Sequence, residues 1–186
     1  PARGRQAGPL RPDGSCGLVR SLQKELDAKK GTIKLLNLED ELWTEGRPAL
    51  PATPAWLLPK EYAGFSPAEK LGQLRAEALL SWAAPHSWWA SWTTLHGCSI
   101  SAPWTSSVPP YAMAYCYVTP DKATLFINTA RVSAEAAAEL KANGVELAEY
   151  DDVLTVLAAQ TEEQTVLADP VSVNYAVTRP CRPTRL

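Results

Sequence analysis

The 186-residue sequence predicts an α/β fold, a sheet flanked by short helices, and three observations carry that prediction. From residue 111 onward, strand-like runs alternate with helix-like runs. Capping signals open helices at Ser66 and Ser133, and a turn at 119–122 joins two apolar runs. An apolar content of 46% supplies a real core for such a sheet.

The elements follow in order. Residues 1–17, rich in Arg, Gly and Pro, have no periodicity and read as a disordered end. Leu18 to Lys30 is a helix with Leu18, Val19, Leu22 and Leu26 inward, stopped by Lys29, Lys30 and Gly31. Thr32 to Leu36 is a short strand, and the proline-rich residues 37–59, with Trp43 and Trp56, are a linker.

Ser66-Pro67-Ala68-Glu69 is a capping box with Pro in the first helical position, and Leu71, Leu74 and Leu79 face inward behind it. Tyr111 to Val118 and Ala123 to Asn128 form a hairpin through Thr119-Pro120-Asp121-Lys122. Ser133 caps a helix that Asn143-Gly144 ends. Val145 to Ala148 is a strand, Tyr150 to Ala159 a helix with Val153, Leu154, Val156 and Leu157 inward, and Thr165 to Ala168 a strand.

Charge narrows the function. Lys plus Arg is 18 against 20 Asp plus Glu, a net charge of -2, so no global basic field draws nucleic acid or an anionic membrane. The basic residues gather at the two ends, four Arg within residues 1–20 and three within 179–186, which leaves the middle acidic. Cys16, Cys98, Cys116 and Cys181 form no C-x-x-C pair and read as isolated thiols rather than a redox or zinc site. Without a signal core or a long apolar run, the expected compartment is the cytoplasm.

Motifs for chemistry do not occur. There is no Gly-x-Ser-x-Gly elbow, Walker loop, His-Glu-x-x-His or Gly-x-Gly-x-x-Gly. His86 and His96, the only histidines, stand without a carboxylate or thiolate pair beside them. Asp151 and Asp152 sit at a helix start, where carboxylates favour the dipole; Asp169-Pro170 is a strand end, and Glu162 and Glu163 are solvated. The expected catalytic, cofactor-binding and metal-binding residues are therefore none.

A family resemblance runs from about residue 18 to 177. Asn37-Leu38-Glu39-Asp40-Glu41-Leu42-Trp43, then Arg47-Pro48, Leu50-Pro51 and Glu61-Tyr62-Ala63-Gly64-Phe65-Ser66 with Glu69-Lys70-Leu71 and Leu74-Arg75, resemble a domain junction of the cytosolic-type Xaa-Pro aminopeptidases (aminopeptidase P). Val118 to Ile127, Tyr150-Asp151-Asp152-Val153-Leu154 and Val173-Asn174-Tyr175-Ala176-Val177 continue it in order. The resemblance implies a creatinase-type mixed sheet flanked by helices, here incomplete.

It further implies two creatinase-like domains ahead of a catalytic domain that binds two manganese ions and cleaves peptides with proline in second position. On that pattern residues 18–36 close the first domain, 37–59 link, 60–177 form the second domain, and 178–186 are a tail. This chain is then expected to be a non-catalytic fragment, with homodimerisation through its creatinase-like domains. The Arg of the family's Asn-Leu-Arg-Gly turn has no counterpart, because Thr94-Leu95-His96-Gly97 stands there.

One segment is anomalous. Residues 78–120 contain no Asp, Glu, Lys or Arg, and 82–104 hold five of the seven tryptophans. One reading is a Trp-rich interaction or membrane-peripheral module on the same scaffold. Another is that about 78–106 is frame-shifted: moved back one base, with permissive codon choices, it reads Phe-Val-Val-Gly-Val-Leu-Asp-Asp-Ile-Ala-Trp-Leu-Leu-Asn-Ile-Arg-Ala-Val-Asp-Val. The same shift after Val177 turns the Arg-rich tail into family-like text. On this reading the sheet lacks a central strand, and stability is marginal.

Overall fold

The computed structural model describes residues 15–33, 45–46, 53–82, 87–91, 100–101, 112–159, 166–168, 173–178 and 184–185. Helix α1 spans Cys16–Asp27, strand β1 Trp56–Leu57, α2 Lys60–Ala63 and α3 Pro67–Trp82. Strands β2 Ser87–Ser91, β3 Ile100–Ser101, β4 Ala114–Val118 and β5 Ala123–Ile127 follow. Then come α4 Ala134–Ala142, β6 Val145–Ala148, α5 Asp152–Ala158, β7 Val166–Ala168, α6 Tyr175–Thr178 and β8 Thr184–Arg185.

Six strands build one mixed sheet in the order β6-β5-β4-β2-β7-β8, and β1 pairs with β3 apart from it. The predicted hairpin lies within it: β4 and β5 are antiparallel, with Ala114 opposite Ile127 and Val118 opposite Ala123. Its turn closes through Thr119, whose N–H donates to the Lys122 carbonyl at 2.8 Å. The hydroxyl of Thr119 accepts the Lys122 N–H at 3.1 Å.

Both faces of this sheet are covered. Every residue of β4 is buried, and pleating alternates them between two cores. Ala114, Cys116 and Val118 join Leu125, Ile127, Leu71 of α3 and Leu140 of α4 on one side. Tyr115 and Tyr117 join Phe126, Val153 and Leu157 of α5, Val166, Val173 and Val177 of α6 on the other. The predicted α/β class and flanked mixed sheet are thus observed.

Local chemistry starts these helices where the sequence says. The Ser66 N–H donates to a Glu69 carboxylate oxygen at 2.6 Å, and the Glu69 N–H donates back to the Ser66 hydroxyl at 3.3 Å. Backbone donation from Ser66 above all, then the Lys60 ammonium and the Ser66 hydroxyl, lower the Glu69 pKa from 4.5 to about 2. Because the folded value is depressed, this contribution is full above pH 4.5 and is lost as pH falls toward 2. Glu69→Gln is expected to flatten the fall in stability across that window, read by urea midpoints at stepped pH. An unchanged pH profile contradicts the box.

Ser133 accepts the Ala136 N–H at 3.1 Å, and Gly144 leaves α4 at φ 78°, a conformation other L residues rarely adopt.

Several expectations are corrected. Leu18 is 53% exposed and Leu154 43% exposed, while Cys16 and Val19 are the buried residues of α1. Ser15 caps α1, its hydroxyl accepting the Leu18 N–H, so the helix begins at Cys16 rather than Leu18, and it buries the residues that meet the helix at 175–178. Of the strand expected at Thr32 to Leu36, residues 34–36 lie outside the described residues, and the Ile33 N–H donates to the Gln23 side chain at 3.2 Å.

The segment expected to leave the sheet without a central strand does form one. Strand β2 lies between β4, antiparallel to it, and β7, parallel to it. Ladder bonds use backbone groups, so a stretch of Ser, Trp and Ala can still close them. The same holds for β8, within the predicted tail, which adds to the sheet edge beside β7.

Candidate functional site

Two polar clusters stand out among the described residues, and both join distant parts of the chain. Arg131 follows β5 in a 3-10 turn and is the buried charged residue among the described residues, 8% exposed. Its Nε donates to the Thr53 carbonyl at 2.8 Å and its Nη2 to the Thr53 hydroxyl at 3.4 Å. The Arg131 carbonyl in turn accepts the Ala55 N–H at 2.7 Å, beside a parallel bridge from Ala55 to Val132. The guanidinium fork therefore clasps residues 53–55 to the sheet.

The second cluster lies on the opposite sheet face. Tyr115 of β4 stacks on Tyr150 with ring centroids 5.2 Å apart, and its hydroxyl accepts the Asn174 side-chain amide at 2.6 Å. Asn174 precedes α6, and its neighbour Val173 accepts the Cys16 N–H at 2.9 Å. Helix α1 thereby packs on α6, with an isolated antiparallel bridge from Ser15 to Asn174. The Asn174–Tyr115 hydrogen bond thus joins the segment before α6 to the middle of the sheet.

Sequence reasoning missed both clusters. Arg131 and its partner Thr53 are 78 positions apart, and a single Arg after a strand carries no spacing signal. A further tether, from the Arg75 Nε to the Thr119 carbonyl at 3.0 Å, holds α3 to the hairpin turn.

Of the residues weighed from sequence, Asp151, Asp152, Cys16 and Cys116 are among those described. His86, His96, Glu162, Glu163 and Asp169 lie outside the described residues, as does the turn at 94–97. Asp151 occupies the N-cap of α5 without a side-chain capping bond, and Asp152 lies in its first turn, so these carboxylates act on the helix dipole alone. Cys16 and Cys116 are buried.

No group of three or more His, Cys, Asp or Glu that could hold a metal occurs among the described residues. These residues do not fit a two-ion centre, which needs a cage of carboxylate and imidazole donors. The concavity lined by Leu57, Lys60, Phe65 and Glu139 encloses about 40 Å³. That is room for a few waters, far below the ~300 Å³ of a ligand pocket. No helix among the described residues is long and apolar enough to cross a membrane.

The Creatinase/Prolidase N-terminal domain family matches residues 107–185. Aminopeptidase P2 of Arabidopsis thaliana is 32% identical over 171 residues, which is 83% of this chain and 22% of that protein. A probable Xaa-Pro aminopeptidase P of Sordaria macrospora is 34% identical over 63% of this chain and 19% of its own length.

In structure, the chain is similar to an X-prolyl aminopeptidase from Caenorhabditis elegans, described as a cytosolic enzyme with a di-nuclear active site. The TM-score is 0.78 at 20% identity, covering 95% of this chain and 30% of that one. The chain spans about a fifth of the length of the curated relatives it matches.

Proposed function

We propose that this chain, which belongs with the creatinase/prolidase N-terminal domains of the Xaa-Pro aminopeptidases, is a non-catalytic portion of such an enzyme. Coverage carries the reading: similarity extends over 83% of this chain yet over only 22% of Aminopeptidase P2. Residues 18–36 close a first creatinase-like domain, 37–59 link, and 60–177 are the second. The two polar clusters support this division of labour. The Arg131 clasp holds the end of the linker, and the Tyr115–Asn174 contact braces the α6 region against which α1 packs.

The unit works through its surface. In the whole enzyme it frames the approach of peptides with proline in second position to a separate two-metal domain, in the cytosol, and offers a face for homodimerisation. Purified chain incubated with manganese and an Xaa-Pro peptide is expected to release no free N-terminal amino acid above a protein-free blank. Release that scales with chain concentration contradicts the reading.

A further inference from the structure

The sheet and the text of its central strand disagree. Strand β2 runs between β4, buried along its whole length on both faces, and β7, whose Val166 is buried in the second core. Its register sets Trp88 opposite Val118, Trp89 opposite Tyr117, Ala90 opposite Cys116 and Ser91 opposite Tyr115. A strand flanked on both edges inside such a sheet is ordinarily a run of β-branched apolar residues. The text there is Ser-Trp-Trp-Ala-Ser, two hydroxyls around two of the largest side chains.

The genetic code makes the disagreement legible. Tryptophan has one codon, TGG. Reading one base back therefore forces four residues with no freedom of codon choice: Val across Trp88-Trp89, Gly across Trp89-Ala90, and Asp across Trp92-Thr93 and Trp104-Thr105. The junctions His86-Ser87 and Ala90-Ser91 become NTC, and Ser87-Trp88 and Ser91-Trp92 become NTG, provided the serines are TCN codons. Every NTC or NTG codon encodes Phe, Leu, Ile, Val or Met.

We propose that residues 87–106 are the out-of-frame translation of an apolar central strand and an acidic stretch of sequence after it. Shifted back, the stretch over β2 is an unbroken apolar run containing Val-Gly, and the first acidic residue falls just beyond Ser91, where the strand ends. The shift also returns charge to a stretch, 78–120, that has none in a chain with 20% charged residues. The creatinase/prolidase match begins at residue 107, where the aberrant text stops.

Two readouts test this. In the coding DNA, Ser87 and Ser91 are expected to be TCN; an AGT or AGC codon at either overturns the proposal, because it places Lys, Gln, Glu or a stop within the strand. At the protein level, the 186-residue chain is compared with the same chain carrying the shifted text over 87–106, including Trp88→Val, Trp89→Val and Ala90→Gly. The shifted chain is expected to unfold more cooperatively, with its thermal midpoint raised by ~5 °C or more. An equal or lower midpoint, or failure to fold, overturns the proposal.

Discussion

Phe126→Ala is expected to destabilise the protein by about 3–5 kcal/mol. For a chain of this length that lowers the thermal midpoint by roughly 6–20 °C. Phe126 is fully buried on β5, one strand in from the β6 edge, and packs in the core formed with Tyr115, Tyr117, Val153 and Leu157. Truncation removes ring contacts and leaves a cavity that a sheet bonded on both sides of β5 does not collapse to fill. The loss is read as a shift in urea midpoint at constant slope. Leu71→Ala, on the opposite face, is expected to add to it independently, since the two residues share no core cluster. A loss under 1 kcal/mol for Phe126→Ala would contradict the packing described.

Arg131→Ala is expected to cost about 2 kcal/mol, the scale of hydrogen bonds to a charged donor. The substitution leaves the Thr53 carbonyl and hydroxyl without the guanidinium that now binds them. It also distinguishes clasp from core, because the released segment precedes Lys60, an exposed trypsin site. Limited trypsin digestion should cut at Lys60 faster in the variant, at temperatures where the sheet remains folded. Arg131→Lys should restore little, since a single ammonium cannot reproduce the fork that reaches both Thr53 oxygens. Equal cleavage rates would show that the linker end is held by something else.

The parts of the fold written in local chemistry were legible. The Ser66–Glu69 box, the Ser133 cap, the Gly144 turn and the Thr119–Lys122 hairpin each place a specific side chain on a specific backbone group within a few residues. Inward faces were less so. Leu18 and Leu154 follow an apolar stripe, yet the short helices α1 and α5 bury only the residues that meet α6 and the sheet. Apolar periodicity gives a face, and tertiary packing decides how much of it is covered.

Long-range features were not legible. Arg131 finds Thr53, and Asn174 finds Tyr115, 78 and 59 positions away, with no motif linking either pair. Strand β8 could not be anticipated, because its backbone pairs with Val166 and Leu167 from a Pro- and Arg-rich stretch that has no strand pattern. The clusters are therefore structural discoveries, whereas the α/β class and the resemblance to Xaa-Pro aminopeptidases came from residue order and local signals.

Equilibrium dialysis of the purified chain against manganese, with bound metal counted per chain, tests the non-catalytic reading most directly. The account predicts no stoichiometric binding, in line with described residues that gather no three metal-ligand side chains. Two tightly held ions per chain would contradict it.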